Sequence, residues 1–292
     1  MIHEPEDRWP GHDERHWSDD RFRRHLDALS GPDRGPVVVV DSTGSTNADV
    51  ADQAAEGAPA GFTVVAHEQV SGRGRLDRVW TSAAGAGVAM SVLVRPSAPV
   101  AQWGWLPLLT GVAVVNECRE LGLSATLKWP NDVIVEADGA DGRPGPRKLG
   151  GILVQRVDAA DVDGSVAAVI GIGLNVDLRI DELPIPTATS FRLEGVSVER
   201  ELLVARLLNE VMSAVQGWDA DGGDVVTSGL RDRYRGLCST IGQLVRAERP
   251  GGSSVTGRAV DVELSGGLAI QTSDGQVIVV TAGDIVHLRT AI

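Results

Sequence analysis

An almost entirely apolar segment, residues 166–176, places a buried strand at the centre of the predicted fold. A strand that is apolar on both faces has to be covered on both sides, as a central strand of a layered domain is. Shorter strand-like segments precede it, and residues 106–121 carry the apolar spacing of a helix. These patterns predict an α+β fold in which helices flank a mixed β-sheet.

The pattern changes from residue 241 onward, where short alternating strands are separated by glycine turns. Several short strands at such spacing indicate a small β-barrel. We therefore predict three parts: a flexible or partly helical N-terminal arm (residues 1–36), a main domain (residues 37–236) and a C-terminal β-barrel (residues 237–292).

Two helices are predicted between the central strand and the barrel. The first covers residues 198–218 with Ser197 as its N-cap, and the second covers residues 225–236. In the N-terminal arm, residues 21–29 form the best helical pattern. Residues 137–147 are rich in glycine, aspartate and proline and are predicted to form a long mobile hairpin loop.

The formal net charge of −13 argues against binding to nucleic acid, because an acidic surface repels phosphate backbones. The sequence lacks an apolar run of about 18 residues, so no membrane span is expected. The N-terminus is polar, and the two cysteines, Cys118 and Cys238, are too few for a disulfide framework. Together these features predict a cytoplasmic protein.

Residues 72–80 concentrate positive charge and glycine, with three arginines and two glycines in their first seven positions. Glycine lets a backbone come close to a ligand, and arginine binds carboxylate and phosphate through a planar fork of donors. In an acidic protein, such a local positive segment favours a small anionic ligand over a polyanion. The alternative is a solvated, arginine-rich surface loop.

Lysine occurs only at Lys128 and Lys148, whereas the other basic residues are all arginine. These two positions are therefore candidates for sites that need a compact ammonium group. For Lys128, an ion pair with Asp132 is an equally good explanation. For Lys148, which ends the predicted mobile loop, contact with a phosphate is the better interpretation.

Six motifs, in the same order along the chain, resemble those of the biotin protein ligase family, or biotin–[acetyl-CoA-carboxylase] ligases. The resemblance covers about residues 37–290 and is to the type that lacks an N-terminal DNA-binding domain. It implies a catalytic domain like that of class II synthetases, followed by an SH3-like barrel. The motifs are Ser45-Thr46-Asn47, Gln69, GRGRLDRVW at 72–80, KWPNDV at 128–133, KLGGIL at 148–153 and GIGLNV at 171–176.

The resemblance implies a two-step reaction with ATP and biotin as substrates and Mg²⁺ neutralising the triphosphate. Biotin is activated as biotinyl-5′-AMP and is then transferred to a lysine of a carrier domain. The implied partners are the biotin carboxyl carrier domains of acyl-CoA or pyruvate carboxylases. The protein itself is expected to be a monomer or a weak homodimer, with no metal ligands of its own.

The resemblance also assigns roles to individual residues. Lys148 and Arg75 are the expected catalytic residues, with Lys148 bridging the biotin carboxylate and the α-phosphate. The nucleotide side is assigned to Asn131, Asn175 and Trp80, and both Trp80 and Trp129 could instead be core residues. The residues expected to bind biotin or biotinyl-AMP are Ser45, Thr46, Asn47, Gln69, Arg73, Gly74, Arg75 and Lys148.

Two features depart from the family's usual pattern. Asp77 stands where glycine is common, and a carboxylate there could weaken the attraction of the arginine segment for anions. The loop at residues 137–147 is longer than the usual connection. Two alternatives remain open at this point: a ligase for lipoate or octanoate, and a biotin-responsive transcription regulator.

Overall fold

A computed structural model describes residues 15–31, 34–75, 78–80, 83–136, 142–158, 166–249, 252–281 and 283–287. Its main sheet has seven strands in the order β1-β2-β5-β9-β8-β7-β6. The β1–β2 pair is parallel and the other pairs are antiparallel, so the sheet is mixed. The strands are β1 (Val37–Thr43), β2 (Thr63–Gln69), β5 (Gly87–Val94), β6 (Ala125–Lys128), β7 (Asp132–Val135), β8 (Arg147–Asp158) and β9 (Val166–Asn175), and a separate two-stranded ribbon joins β3 (Gly72–Arg73) to β4 (Val79–Trp80).

The apolar segment at residues 166–176 forms the central strand of this sheet, as predicted. It is β9, and it pairs with β5 on one side and β8 on the other. Its apolar side chains are almost fully buried, as two-sided coverage requires. The α+β fold is therefore confirmed.

Five α-helices flank or follow the sheet in the described part of the chain. Two predicted helix starts were wrong. The fourth helix begins at Arg200 with Glu199 at its N-cap, so Ser197 does not cap it. The fifth begins at Leu230, because Gly229 adopts a left-handed conformation with φ of 66° and ends the preceding turns. The helices are α1 (Asp19–Ala28), α2 (Thr46–Ala55), α3 (Leu106–Glu120), α4 (Arg200–Ala220) and α5 (Leu230–Leu237).

The C-terminal strands form a five-stranded antiparallel sheet in the order β13-β12-β11-β10-β14, at nearly the predicted positions. Two indole N–H groups join this sheet to the main domain. Trp105 donates to the carbonyl of Leu264 at 2.8 Å, and Trp129 donates to that of Gly266 at 3.0 Å. The strands are β10 (Leu244–Glu248), β11 (Ser254–Val262), β12 (Leu268–Gln271), β13 (Val277–Val280) and β14 (Asp284–His287).

Residues 15–31 are packed onto the main domain rather than extended from it. Helix α1 contacts α4, and the side chains of Trp17 and Phe22 are buried. The Trp17 ring lies 5.2 Å from the ring of His67 in β2, whose pKa is lowered by burial and by nearby Arg200. The helix predicted at residues 21–29 is therefore confirmed as α1 (Asp19–Ala28), and this part of the N-terminus is packed rather than flexible. Residues 1–14 lie outside the described residues.

Arg15 connects this N-terminal segment to the chain that follows β9. Its guanidinium donates to both carboxylate oxygens of Glu182, at 2.9 and 2.6 Å, and to the Asp177 carboxylate at 3.2 Å. The ion pair with Arg15 lowers the pKa of the Glu182 carboxyl from 4.5 to about 2. Charge-assisted, forked contacts of this kind are stronger than neutral hydrogen bonds.

We expect this ion pair to make stability depend on pH in the acid range. Because the folded-state pKa of Glu182 is depressed, its contribution is complete above its ordinary pKa of 4.5 and is lost as the pH falls towards about 2. Glu182→Gln should therefore lower the free energy of unfolding at pH 7 by more than at pH 2.5, as measured by urea denaturation. Asp181→Asn is the matched control, since Asp181 lies exposed in the same turn. A constant difference between wild type and Glu182→Gln at all pH values would contradict the expectation.

None of the helices in the described part of the chain combines the length and the apolar character that crossing a membrane requires.

Candidate active site

A cavity of about 650 Å³ opens beside the strand ends of the main sheet. It is bounded by the start of α2, the β3–β4 ribbon, the 129–132 turn, strands β8 and β9, and residues of β10 and β14. All of the site residues predicted from the sequence line it: Ser45, Thr46, Asn47, Gln69, Arg73, Gly74, Arg75, Trp80, Asn131, Lys148 and Asn175. The fold thus gathers into one cavity residues that are up to 130 positions apart, from 45 to 175.

One end of the cavity is a buried polar wall at the start of α2. Ser45 is the N-cap residue of this helix, yet its side chain makes no capping hydrogen bond. Instead, Gln69 Oε1 accepts from the backbone N–H of Thr46 at 2.8 Å and lies 3.1 Å from its hydroxyl. The Ser/Thr/Asn cluster is therefore not a simple side-chain cap, and its polar atoms are held at the cavity.

Two residues that lie behind this wall and hydrogen-bond to Asn47 were missed by the sequence prediction. Ser91 in β5 is fully buried and donates to Asn47 Oδ1 at 2.6 Å. Gln155 in β8 accepts from Asn47 Nδ2 at 2.8 Å. A serine within the otherwise apolar strand of residues 87–94 was the available signal for Ser91. Nothing in the sequence connected Gln155 to residue 47, because strand register alone brings the two together.

The arginine-rich segment is a short β-ribbon rather than an irregular loop. Gly72–Arg73 pairs with Val79–Trp80, and the turn is closed by the Gly74 N–H donating to the Arg78 carbonyl at 2.7 Å. Arg73 is exposed and Arg75 is half-buried, and both line the cavity. Asp77 lies outside the described residues, so its effect on the turn stays a prediction.

The Trp80 ring lies close against the central strand, where it lines the cavity. A Cβ placed on Gly173 would come within 2.7 Å of the Trp80 indole, so only glycine allows this approach. The ammonium of Lys148 stands 5.8 Å from the centre of the same ring, within the range of a cation–π contact. Trp80 is thus a wall of the cavity, and Trp129 also borders the cavity although it is only 2% exposed and packs in the core.

Lys148 has a fixed backbone and a half-exposed side chain. Its N–H donates to the Thr187 carbonyl at 2.7 Å, and its carbonyl accepts from Thr189 at 2.8 Å. Its ammonium pairs with the Asp132 carboxylate at 2.6 Å. The sequence offered an ion pair between Lys128 and Asp132 as one explanation of Lys128. Lys128 is the cross-strand neighbour of Asp132 in the β6–β7 hairpin.

Arg147 anchors the strand that carries Lys148. It was expected to end a mobile loop, but its side chain is only 1% exposed and forms a two-pronged ion pair with Glu194 at 2.8 and 2.9 Å. A buried, fully paired guanidinium of this kind holds its backbone in place. Residues 137–141 of the predicted loop lie outside the described residues.

The two predicted nucleotide-side asparagines behave differently. Asn131 donates to the Ile152 carbonyl at 2.8 Å and so fastens the 129–132 turn to β8. Asn175 is 2% exposed and donates to the Thr189 carbonyl at 2.9 Å, while its Oδ1 is buried without a partner. A buried acceptor left unmatched is costly, and a ligand N–H or O–H at this cavity would satisfy it.

The arrangement suits charge stabilisation better than covalent catalysis. Cys118 and Cys238 are buried, and burial raises the pKa of the Cys118 thiol to about 12. Within the described ranges, no three His, Cys, Asp or Glu side chains are grouped so that they could hold a metal ion. The Asp132 and Glu248 carboxylates at the cavity are oxygen ligands of the type that Mg²⁺ prefers, but each is paired with a basic side chain, Lys148 and Arg246 respectively.

Comparisons with known proteins agree in sequence and in fold. Residues 39–175 match the Biotin/lipoate A/B protein ligase family, and residues 240–288 match the Biotin protein ligase C terminal domain. The chain is 37% identical to a biotin–[acetyl-CoA-carboxylase] ligase of Mycobacterium tuberculosis, with 92% of this chain and 98% of that protein covered. It is 30% identical to the bifunctional ligase/repressor BirA of Bacillus subtilis, with 82% of this chain and 70% of that protein covered.

The structural comparison concerns the fold. A biotin protein ligase from Aquifex aeolicus, solved in complex with biotin and ATP, matches with a TM-score of 0.66. The match covers 87% of this chain and 99% of that chain at 24% sequence identity.

Proposed function

Because this chain belongs to the biotin protein ligase family, we infer that it is an ATP-dependent ligase that activates biotin and transfers it to a lysine of a biotin carboxyl carrier domain. In the first step, a biotin carboxylate oxygen attacks the α-phosphorus of ATP. The bond between the α-phosphorus and the oxygen that bridges to the β-phosphate breaks. Biotinyl-5′-AMP and pyrophosphate result. In the second step, the lysine amine attacks the acyl carbon, loses a proton, and AMP departs.

The observation that carries this proposal is the cavity with a polar, uncharged end and a cationic end. Thr46 and Gln69 at the first end offer hydroxyl and amide groups, which suit the ureido ring of biotin. Lys148 and Arg75 at the other end supply positive charge where the carboxylate and the α-phosphate would meet. Preorganised charge of this kind stabilises the negative charge that develops in the transition state.

The remaining predicted roles complete this arrangement. Ser45 and Asn47 border the biotin end, and Arg73 and Gly74 reach the adenylate phosphate from the β-ribbon. On the nucleotide side, the unmatched Oδ1 of Asn175 accepts a hydrogen bond from the nucleotide. Asn131 acts there by holding the turn that carries Asp132.

The partner is the carrier domain of acetyl-CoA carboxylase, in keeping with the ligase of M. tuberculosis. Carrier domains of other acyl-CoA carboxylases and of pyruvate carboxylase present the same kind of lysine and are proposed as further substrates. The catalytic domain is proposed to span residues 37–236 and the C-terminal domain residues 237–292. The protein is proposed to act in the cytoplasm as a monomer or weak homodimer.

Biotin-dependent exchange of pyrophosphate into ATP tests the first step without any carrier protein. We expect the purified protein with Mg²⁺ to incorporate labelled pyrophosphate into ATP when biotin is added, and not when lipoate or octanoate replaces it. Exchange with lipoate but not with biotin would overturn the proposal. Transfer is then followed by mass spectrometry of an isolated carrier domain, whose mass should rise by one biotinyl group.

A further inference from the structure

We propose that Gln155 is a positioning residue that sets the direction of a hydrogen-bond relay, Gln155–Asn47–Ser91–Thr46, and thereby makes the biotin end of the cavity selective for a ureido group. The inference rests on the proposed function, because it concerns the same site. Gln155 does not line the cavity itself, so it acts through Asn47.

The direction of the relay starts at a backbone carbonyl. Asn47 Nδ2 lies 3.3 Å from the carbonyl oxygen of Leu153 and 2.8 Å from Gln155 Oε1. A backbone carbonyl only accepts hydrogen bonds, so the amide nitrogen of Asn47 has to face β8. Its Oδ1 consequently faces Ser91, whatever orientation the amide would otherwise take.

The hydroxyl hydrogens then have one consistent arrangement. The hydroxyl of Ser91 donates its single hydrogen to Asn47 Oδ1 at 2.6 Å. The Thr46 hydrogen has two acceptors in reach, the Ser91 hydroxyl oxygen at 2.7 Å and Gln69 Oε1 at 3.1 Å, and it goes to the nearer one because Ser91 has no second hydrogen to give. The Thr46 hydroxyl oxygen is left as an acceptor towards the cavity.

Gln69 is oriented by the same wall. Its Oε1 accepts from the backbone N–H of Thr46 at 2.8 Å, so its Nε2 hydrogens are what it can offer a ligand. The wall thus presents an acceptor on Thr46 and donors on Gln69. A ureido group, with its N–H donor and C=O acceptor, is complementary to that pair, whereas a cyclic guanidine with N–H in place of the carbonyl oxygen is not.

Gln155 provides the shorter of the two bonds that hold the Asn47 amide in this orientation. Without it, only the 3.3 Å contact with Leu153 opposes rotation of the amide. Reversal would place an N–H of Asn47 against the Ser91 hydroxyl and would turn the hydroxyl chain round. The Thr46 hydrogen would then be released from Ser91, to be shared between Gln69 Oε1 at 3.1 Å and a ligand in the cavity, and the distinction between ureido and guanidine rings would weaken.

The test compares three variants on the same strand. Gln155→Met removes the acceptor at similar size, Gln155→Glu keeps an acceptor, and Arg156→Met is the control on the exposed neighbouring position. We expect Gln155→Met to raise the KM for biotin in pyrophosphate exchange by about 10-fold, as loss of one hydrogen bond would. The kcat and the KM for ATP should stay within about twofold, and Gln155→Glu and Arg156→Met should resemble wild type.

The selectivity ratio separates positioning from a general structural role. We expect Gln155→Met to lower the preference for biotin over 2-iminobiotin, its cyclic guanidine analogue, by about 10-fold relative to wild type. The proposal is overturned if the two ligands weaken equally, if Gln155→Glu is as impaired as Gln155→Met, or if the KM for biotin is unchanged. Failure of the proposed function would show separately, as absent exchange in the wild-type protein.

Discussion

Replacement of Lys148 with alanine is expected to slow biotin-dependent pyrophosphate exchange by about 10²- to 10³-fold, as loss of one preorganised charge partner does. The ammonium lies in the cavity, 2.6 Å from Asp132, on a strand whose neighbouring Arg147 is buried and paired. An ammonium has three donors, so it can keep Asp132 and still bridge a carboxylate and a phosphate. The fall should appear mainly in kcat, measured at saturating biotin and ATP.

We expect Lys148→Ala to fold normally, so that a slower exchange reports the loss of the ammonium group and not of the structure. The hydrogen bonds that Lys148 makes to Thr187 and Thr189 use its backbone only. Lys148→Arg keeps the charge but replaces a compact ammonium with a planar fork, and it should be nearly as slow. Exchange by Lys148→Ala within about threefold of wild type would remove Lys148 from the mechanism.

A methyl group added at Gly173 should slow pyrophosphate exchange almost as much as the loss of the Lys148 side chain. Gly173→Ala would place its Cβ 2.7 Å from the Trp80 indole, and carbon atoms do not approach so closely. The ring has to tilt away from β9, which shifts the ribbon bearing the arginines and the face towards Lys148. We expect exchange to fall by about 100-fold, because misplacement by about 1 Å can cost that much.

The strand pairing provides a matched control for this substitution. Gly151 lies directly opposite Gly173 across the β8–β9 ladder. A Cβ on Gly151 would meet the Lys148 side chain and the Trp80 ring at 3.6 to 3.8 Å, which is ordinary van der Waals contact and displaces neither. Gly151→Ala should therefore retain exchange within a few-fold of wild type, with melting temperatures of both variants compared. Equal losses in the two variants would show that the clash with Trp80 is not the cause.

Much of the fold could be predicted because it is encoded locally. Residues 166–176 are apolar at nearly every position, which favours a strand that is covered on both faces and paired on both sides. They form the central strand of the sheet. The switch to short alternating strands after residue 241 likewise predicted the C-terminal antiparallel sheet. The start of the helix at residue 200 was misjudged because Glu199, and not Ser197, stands at its N-cap. The start at residue 230 was misjudged because Gly229 adopts a left-handed conformation just before it.

The packed N-terminal segment was not predicted, for a different reason. Its charged residues are typical of a solvated arm, but two buried aromatic side chains, Trp17 and Phe22, and ion pairs from Arg15 and Arg21 tie it to the main domain. Arg15 finds its partners at Asp177 and Glu182, more than 160 positions later. No local pattern reports a contact at that separation.

The sequence by itself determined the class of fold, the order of the motifs and the chemical types at the site, because these depend on residue identity and short-range periodicity. Only the tertiary structure decided which partners those residues meet. Asp132 pairs with Lys148 because the register of the β7–β8 ladder brings the two side chains within hydrogen-bonding distance. Gln155 holds Asn47 because the β8–β9 register and the packing of α2 on the sheet place them together. Register is a cooperative property of the whole sheet, since a slip of one residue would turn every side chain to the opposite face.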